Sequence, residues 1–130
     1  MVNILVISHS KNLASAAVEF VSEMKNGDFA LQYVAGINDG KDFGTDPTQI
    51  IAKIQELTAD KELLIIYDLG SSKMNTEMAM SMIDPAVASK VAIASVAFVE
   101  GLLIAVTSNA GDIKASELKE LVESQAKIEK

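Results

Sequence analysis

Ile4-Leu5-Val6-Ile7-Ser8-His9-Ser10 opens with four consecutive branched apolar residues and stops at two hydroxyls flanking a histidine. An apolar run without alternation marks a strand buried on both faces, as in a parallel sheet covered by helices. The period then changes. Leu13, Ala17, Val18, Val21 and Met24 recur at helical spacing, with Asn26-Gly27 as the stop. A second strand reads from Phe29 to Ala35, ended by Gly36. After the polar loop Asn38–Asp42, Gly44-Thr45-Asp46-Pro47 forms a helix entry, with Thr45 or Asp46 as cap and Pro47 in the first turn. Ile50, Ile51, Ile54 and Leu57 give that helix its apolar face.

The pattern repeats. Leu63-Leu64-Ile65-Ile66-Tyr67 is a third buried strand, ending at Asp68-Leu69-Gly70-Ser71-Ser72. A helix over Lys73–Ile83 stops near Asp84-Pro85, Val91–Ala94 is a fourth strand, and helices follow at Phe98–Thr107 and Ala115–Ile128. This alternation predicts a single α/β domain over residues 1–130: a doubly wound, mostly parallel four-stranded sheet with helices on both faces. Right-handed crossovers lead to the strand order 2-1-3-4.

Composition narrows the chemistry. The 130 residues are 49% hydrophobic and carry a net charge of −7, which argues against disorder and against nucleic acid or an anionic membrane as the main partner. Cysteine is absent, so disulfides, thiolate catalysis and cysteine-based metal sites are excluded. All eleven basic residues are lysine, which removes bidentate arginine clamps, and His9 is the only histidine. No metal site is expected. Met1–Ser10 lacks a basic leader, and the apolar stretch from Val91 to Val106 is short for a membrane span and interrupted by Ser95, Glu100 and Gly101. The expectation is a cytoplasmic protein without membrane insertion.

In open parallel sheets the site lies beyond the carboxyl ends of the strands, where strand order reverses. With order 2-1-3-4 that point falls between strands one and three, which end at His9 and Asp68. Asp68 then has two readings: a partner that orients the imidazole, or a cap for the next helix. The ring can serve as a general base or as a nucleophile toward phosphorus. For a phosphoryl group, anion-friendly surroundings are at hand in Ser8, Ser10, Gly70, Ser71 and Ser72 and in the helix amides after Ser10. Gly70-Ser71-Ser72 also reads as a simple turn. Weak holding without arginine suits a carrier, which must release what it accepts.

Other features have plainer readings. Met74, Met78 and Met82 form a stripe at helical spacing that reads first as core and second as an adaptable docking face. Residues 98–108 are apolar nearly all round, more than one sheet face covers, which points to a homodimer interface. The acidic excess over Ile37–Asp68, seven acids against three lysines, reads as a solvated face. A receiver domain would need an acidic cluster where Ser8-His9-Ser10 stands, and a flavodoxin-like phosphate loop would want a glycine before Asn26. Mutase chemistry of the phosphoglycerate type needs arginines and a second histidine. A non-catalytic regulatory or interaction module remains an alternative.

At Val6-Ile7-Ser8-His9-Ser10 and Asp68-Leu69-Gly70-Ser71 the sequence resembles the mannose-type IIA domains of the bacterial phosphotransferase system. Ala35-Gly36-Ile37, Gly44-Thr45-Asp46-Pro47 and Val99-Glu100-Gly101 extend the likeness, in order, over essentially the whole chain. General members tend to carry a His-Gly pair and a Gly-Gly-Ser-Pro turn. Here His9-Ser10 and Gly70-Ser71-Ser72-Lys73 stand there, which favours the branch serving dihydroxyacetone kinase over a sugar-transport IIA component. The resemblance implies that His9 is phosphorylated and that Asp68 is its hydrogen-bond partner. It implies phospho-HPr as donor, and as acceptor ADP held on the DhaL subunit, which works with DhaK. No cofactor is then bound by this chain. The resemblance further implies a short form served by a separate HPr. Dimers of such domains can exchange an edge strand, yet no fifth strand is read in Ala115–Lys130.

Overall fold

The computed structural model describes all 130 residues. Four strands, β1 (Asn3–Ser8), β2 (Leu31–Ala35), β3 (Leu63–Tyr67) and β4 (Val91–Ala94), alternate with helices. The helices are α1 (Lys11–Ser22), α2 (Pro47–Leu57), α3 (Gly70–Ser81), α4 (Pro85–Ala88), α5 (Phe98–Ser108) and α6 (Ala115–Ala126). The strands form one fully parallel sheet in the order β2-β1-β3-β4, as the alternation predicts. No helix is long and apolar enough to cross a membrane.

Every residue of β1 and β3 is buried, because both lie inside the sheet with helices above and below. Side-chain alternation then divides the core. Ile4, Val6, Leu64 and Ile66 pack with Ala14, Val21, Leu102, Leu118 and Val122 from α1, α5 and α6. Leu5, Ile7, Ile65 and Tyr67 pack on the other face with Ile50, Ile54, Leu57 and Ala79 from α2 and α3. Asp46 caps α2 by accepting from the Thr48 amide at 2.9 Å, with Pro47 in its first turn.

Several boundaries differ from expectation. Helix α3 starts at Gly70 rather than Lys73, because its first three residues are a glycine and two serines that carry no apolar period. Pro85–Ala88 adds a short helix after an Asp84 cap. Helix α1 stops at Ser22, two residues before the last apolar position of the period, and α6 at Ala126, two short of the expected end. Strand β2 begins at Leu31, while Phe29 ahead of it is buried in the core.

The methionine stripe is the larger correction. Met74, Met78 and Met82 are 69%, 53% and 65% exposed, so the core reading fails. Helix α3 turns Ser72, Thr76 and Ala79 inward instead. Thr76 satisfies its hydroxyl on the Ser72 carbonyl at 2.7 Å, so a face of small residues packs against the sheet, and Met74, Met78 and Met82 turn away from it.

Candidate active site

The β1–β3 register sets Ile7 against Tyr67, so the residues leaving these strands emerge as neighbours at the carboxyl edge. There the structure brings His9 and Asp68 together: His9 Nδ1 lies 3.1 Å from Asp68 Oδ1. The backbone amide of His9 donates to Asp68 Oδ2 at 3.0 Å, so the carboxylate holds both the ring and the chain that bears it. Asp68 is not the cap of α3. The N-cap position is Leu69, which makes no side-chain cap bond.

Asp68 collects further donors: Ser8 Oγ at 2.9 Å, the Leu69 amide at 2.7 Å and Ser72 Oγ at 2.8 Å. Its side chain is only 7% exposed. Burial alone would raise its proton affinity. The His9 amide, the Ser72 hydroxyl, the His9 ring and the Ser8 hydroxyl together outweigh burial and hold the carboxyl below its usual range. An ionised carboxylate is an acceptor only, so the histidine proton facing it sits on Nδ1. That proton is shared with Ser72 Oγ, 2.9 Å from Nδ1. Nε2 therefore carries the free lone pair, and the Ser71 hydroxyl donates to it at 2.5 Å.

The serines divide into distinct jobs. Ser8, expected near a phosphoryl group, is fully buried and engaged with Asp68, and it accepts from the Ser10 amide at 3.1 Å. Its place is beneath the carboxylate rather than at the mouth. Ser10 caps α1 by accepting from the Leu13 amide at 3.2 Å. Ser72 is buried between Asp68 and the ring. Only Ser71, which is exposed, meets Nε2 from the solvent side. Gly70 heads α3, whose N-cap Leu69 offers no side-chain acceptor, and an uncapped helix start is a favourable place for an anion.

Two features escaped sequence reasoning. The Gly44 amide donates to the His9 carbonyl at 2.9 Å, tying the β2–α2 loop to the site. Gly44 has φ of +145° and would press an added Cβ against Ile37 at 3.3 Å, so glycine is the residue that fits. Exposed apolar residues also stand on three of the segments that carry the site: Leu13, Phe43, and Leu69 with Met74. Each lies next to a site residue or in the first turn after one, but they are too far apart in sequence to form a pattern. No group of three or more acidic or histidine side chains converges to hold a metal.

A doubly wound parallel domain with one histidine–aspartate pair at its switch point, free of arginine, defines a class: a small α/β protein with a single, carboxylate-held imidazole at the mouth of its sheet. The chain belongs to the EIIA-man family, described as the PTS system fructose IIA component, whose model matches residues 3–122. Among curated relatives it is 35% identical over 112 residues to the phosphoryl donor subunit DhaM of a PEP-dependent dihydroxyacetone kinase from Klebsiella michiganensis. That match covers 85% of this chain and 24% of the relative. A Listeria innocua protein named as the DhaM subunit of PEP-dependent dihydroxyacetone kinase 2 is 29% identical, over 93% of this chain and 97% of its own. The chain thus spans about a quarter of the first relative but nearly all of the Listeria protein. A solved structure described as unknown function protein EF1359 matches with a TM-score of 0.84 and 28% identity, over 98% of this chain and 96% of that one.

Proposed function

We propose that this chain is a phosphohistidine carrier that accepts a phosphoryl group on His9 Nε2 from phospho-HPr. It passes the group to ADP held on the DhaL subunit of dihydroxyacetone kinase, which works with DhaK. The observation that carries this reading is the fixed tautomer: Asp68 holds Nδ1–H, so the outward nitrogen is the nucleophilic one. In the first step Nε2 attacks phosphorus, the Nε2–P bond forms, and the bond to the donor histidine breaks with its electron pair returning to that ring. The recipient ring becomes cationic, and Asp68 stabilises it. Ser71 turns its hydroxyl from Nε2 to a phosphoryl oxygen, and the uncapped start of α3 favours the same charge. The second step runs in reverse toward the nucleotide.

No cofactor is held by this chain in that scheme; the ADP belongs to the partner. Donor and acceptor dock in turn on the exposed apolar residues Leu13, Phe43, Leu69 and Met74, in the compartment where HPr works, the cytoplasm. Helix α5 supplies a homodimer contact: Val99 is 37% exposed, and Leu103 and Ile104 are only partly covered by the core. The names of the curated relatives support the dihydroxyacetone kinase branch over a sugar-transport component. Incubation with phosphoenolpyruvate, enzyme I and HPr tests the reading. Acid-labile phosphate on the parent and none on His9→Ala is the expected result; absence from both overturns it. Phosphoryl transfer to a mannose-type IIB protein and not to DhaL-bound ADP would favour the sugar-transport alternative.

A further inference from the structure

His9 is held at both of its backbone polar groups. Its amide donates to Asp68 at 3.0 Å, and its carbonyl accepts from the Gly44 amide at 2.9 Å. The second bond comes from the loop between β2 and α2, Gly36–Asp46. The middle of that loop is closed on itself: Ile37 and Asp42 exchange backbone hydrogen bonds at 3.0 and 3.2 Å, and Asn38, Asp39 and Gly40 turn through positive φ. Its exit, Phe43–Thr45, is fastened from outside at two places. One is the Gly44 amide on His9. The other is Asn75 of α3, whose Nδ2 donates to Thr45 Oγ1 at 2.6 Å and to the Thr45 carbonyl at 3.3 Å. No other hydrogen bond joins Phe43–Thr45 to a distant segment. Asn75 is half-buried between the exposed Met74 and the buried Thr76. Asparagine is a poor helix former because its amide competes for backbone groups, and here that amide is directed to the loop instead of its own helix.

We propose that Asn75 is a positioning residue of the phosphoryl site: by fixing Thr45 it keeps the Gly44 amide on the His9 carbonyl, and so holds the backbone from which Nε2 is presented. The inference rests on the reading of His9 as a phosphoryl carrier, and it adds a residue that touches neither the ring nor the carboxylate. Helix α3 then grips His9 from two sides. Its first turn does so directly, with Ser72 on the ring and on Asp68. Its second turn does so through the loop, with Asn75 on Thr45 and Gly44 on His9. Both grips belong to one helix, so ring and backbone are located against the same rigid element. Attack on phosphorus depends on where Nε2 stands, and a small displacement lowers the rate of transfer without weakening the encounter with the donor. A loop released from Asn75 keeps only the single Gly44 bond and spends part of its time off it.

The test compares the parent with Asn75→Leu, which removes the donors at similar size, with Thr45→Val, which removes the hydroxyl, and with Thr45→Ser, which keeps it. Amide hydrogen exchange reads the latch itself. In Asn75→Leu the Gly44 amide should exchange about tenfold faster than in the parent, while amides inside β1 keep their protection. Phosphoryl uptake at increasing phospho-HPr, made with phosphoenolpyruvate and enzyme I, reads the consequence. The saturating rate of Asn75→Leu should fall about tenfold with the half-saturating concentration unchanged. Thr45→Val should lose part of the rate in the same way, and Thr45→Ser should recover it. Unchanged exchange at Gly44 overturns the proposal, since the latch then does not act on that amide. A parental saturating rate despite faster exchange also overturns it, because the bond then serves the loop alone. So does a change confined to the half-saturating concentration, which would assign the loop to docking. Equal losses in Thr45→Val and Thr45→Ser would report packing and reject it as well. If the parent takes up no phosphate while HPr does, the carrier reading itself fails, an outcome seen in the parent and distinct from all of these.

Discussion

His9 and Asp68 are joined twice, through the ring at 3.1 Å and through the His9 amide at 3.0 Å. A carboxylate that held only the ring would orient it about one axis. One that also holds the amide fixes the base of the side chain, so the direction of Nε2 follows from the backbone. The arrangement depends on β1 and β3 being sheet neighbours, a relation between residues separated by fifty-nine positions in the chain.

Replacing Asp68 by Asn keeps the shape but substitutes an NH2 for one acceptor oxygen, opposing either the Ser8 and His9 donors or those of Leu69 and Ser72. Phosphoryl uptake should slow by roughly 100-fold, in the range of a lost acid–base or orienting group. The domain should stay folded. Quench-flow phosphorylation by phospho-HPr measures the rate, and a variant as fast as the parent would remove Asp68 from the mechanism.

The two serines of the α3 turn should behave differently. Ser72 is buried and bridges Asp68 and His9, so Ser72→Ala should cost about 1–2 kcal/mol of stability and also slow transfer. Ser71 is exposed and touches only the ring nitrogen. Ser71→Ala should change stability by less than about 0.5 kcal/mol while altering the transfer rate. Urea melts alongside transfer assays separate the two.

Acid should expose the role of Asp68 in stability. The folded state holds its carboxyl below the ordinary value of 3.8, so in falling pH the unfolded chain takes up that proton first. The stabilisation is complete above the unfolded value and is lost as pH falls through the folded one. The stability advantage of the parent over Asp68→Asn should therefore be level near neutrality and shrink below about pH 3.8. Urea unfolding of both proteins across that range reads it, and an advantage unchanged in acid would contradict it.

Gly101 offers a test of packing against propensity. Alanine in a helix interior is ordinarily about 1 kcal/mol better than glycine. Here an added Cβ would collide with the Val96 side chain, because the connection from β4 folds back against the first turn of α5. Gly101→Ala should therefore destabilise the domain by about 1–3 kcal/mol. A raised melting temperature would show that this contact relaxes freely.

If α5 forms the homodimer contact, a charge on its exposed side should dissolve it. Val99→Glu and Ile104→Glu should each shift the parent dimer toward monomer in sedimentation velocity. A parent that sediments as a monomer at high concentration would remove α5 from this role.

The sheet order and the buried inner strands were legible in the sequence, because β-branched runs alternating with helical periods leave few topologies that bury every strand. The same order brings His9 and Asp68 to one edge, and the sole histidine there needed no coordinates to be singled out. What local pattern could not settle was the use of each polar side chain. Ser8, Ser10, Ser71 and Ser72 look alike in sequence, yet one supports the carboxylate from below, one caps a helix, one bridges the pair and one faces Nε2. The methionines of α3 misled for a related reason, since their spacing gives a helical face but not which way the face turns. Gly44 reaches the site from a distant segment, through a backbone amide. Periodicity is a property of neighbours along the chain and determined the architecture; hydrogen bonds between strand ends and loops depend on which distant segments meet, and only the tertiary structure decided those.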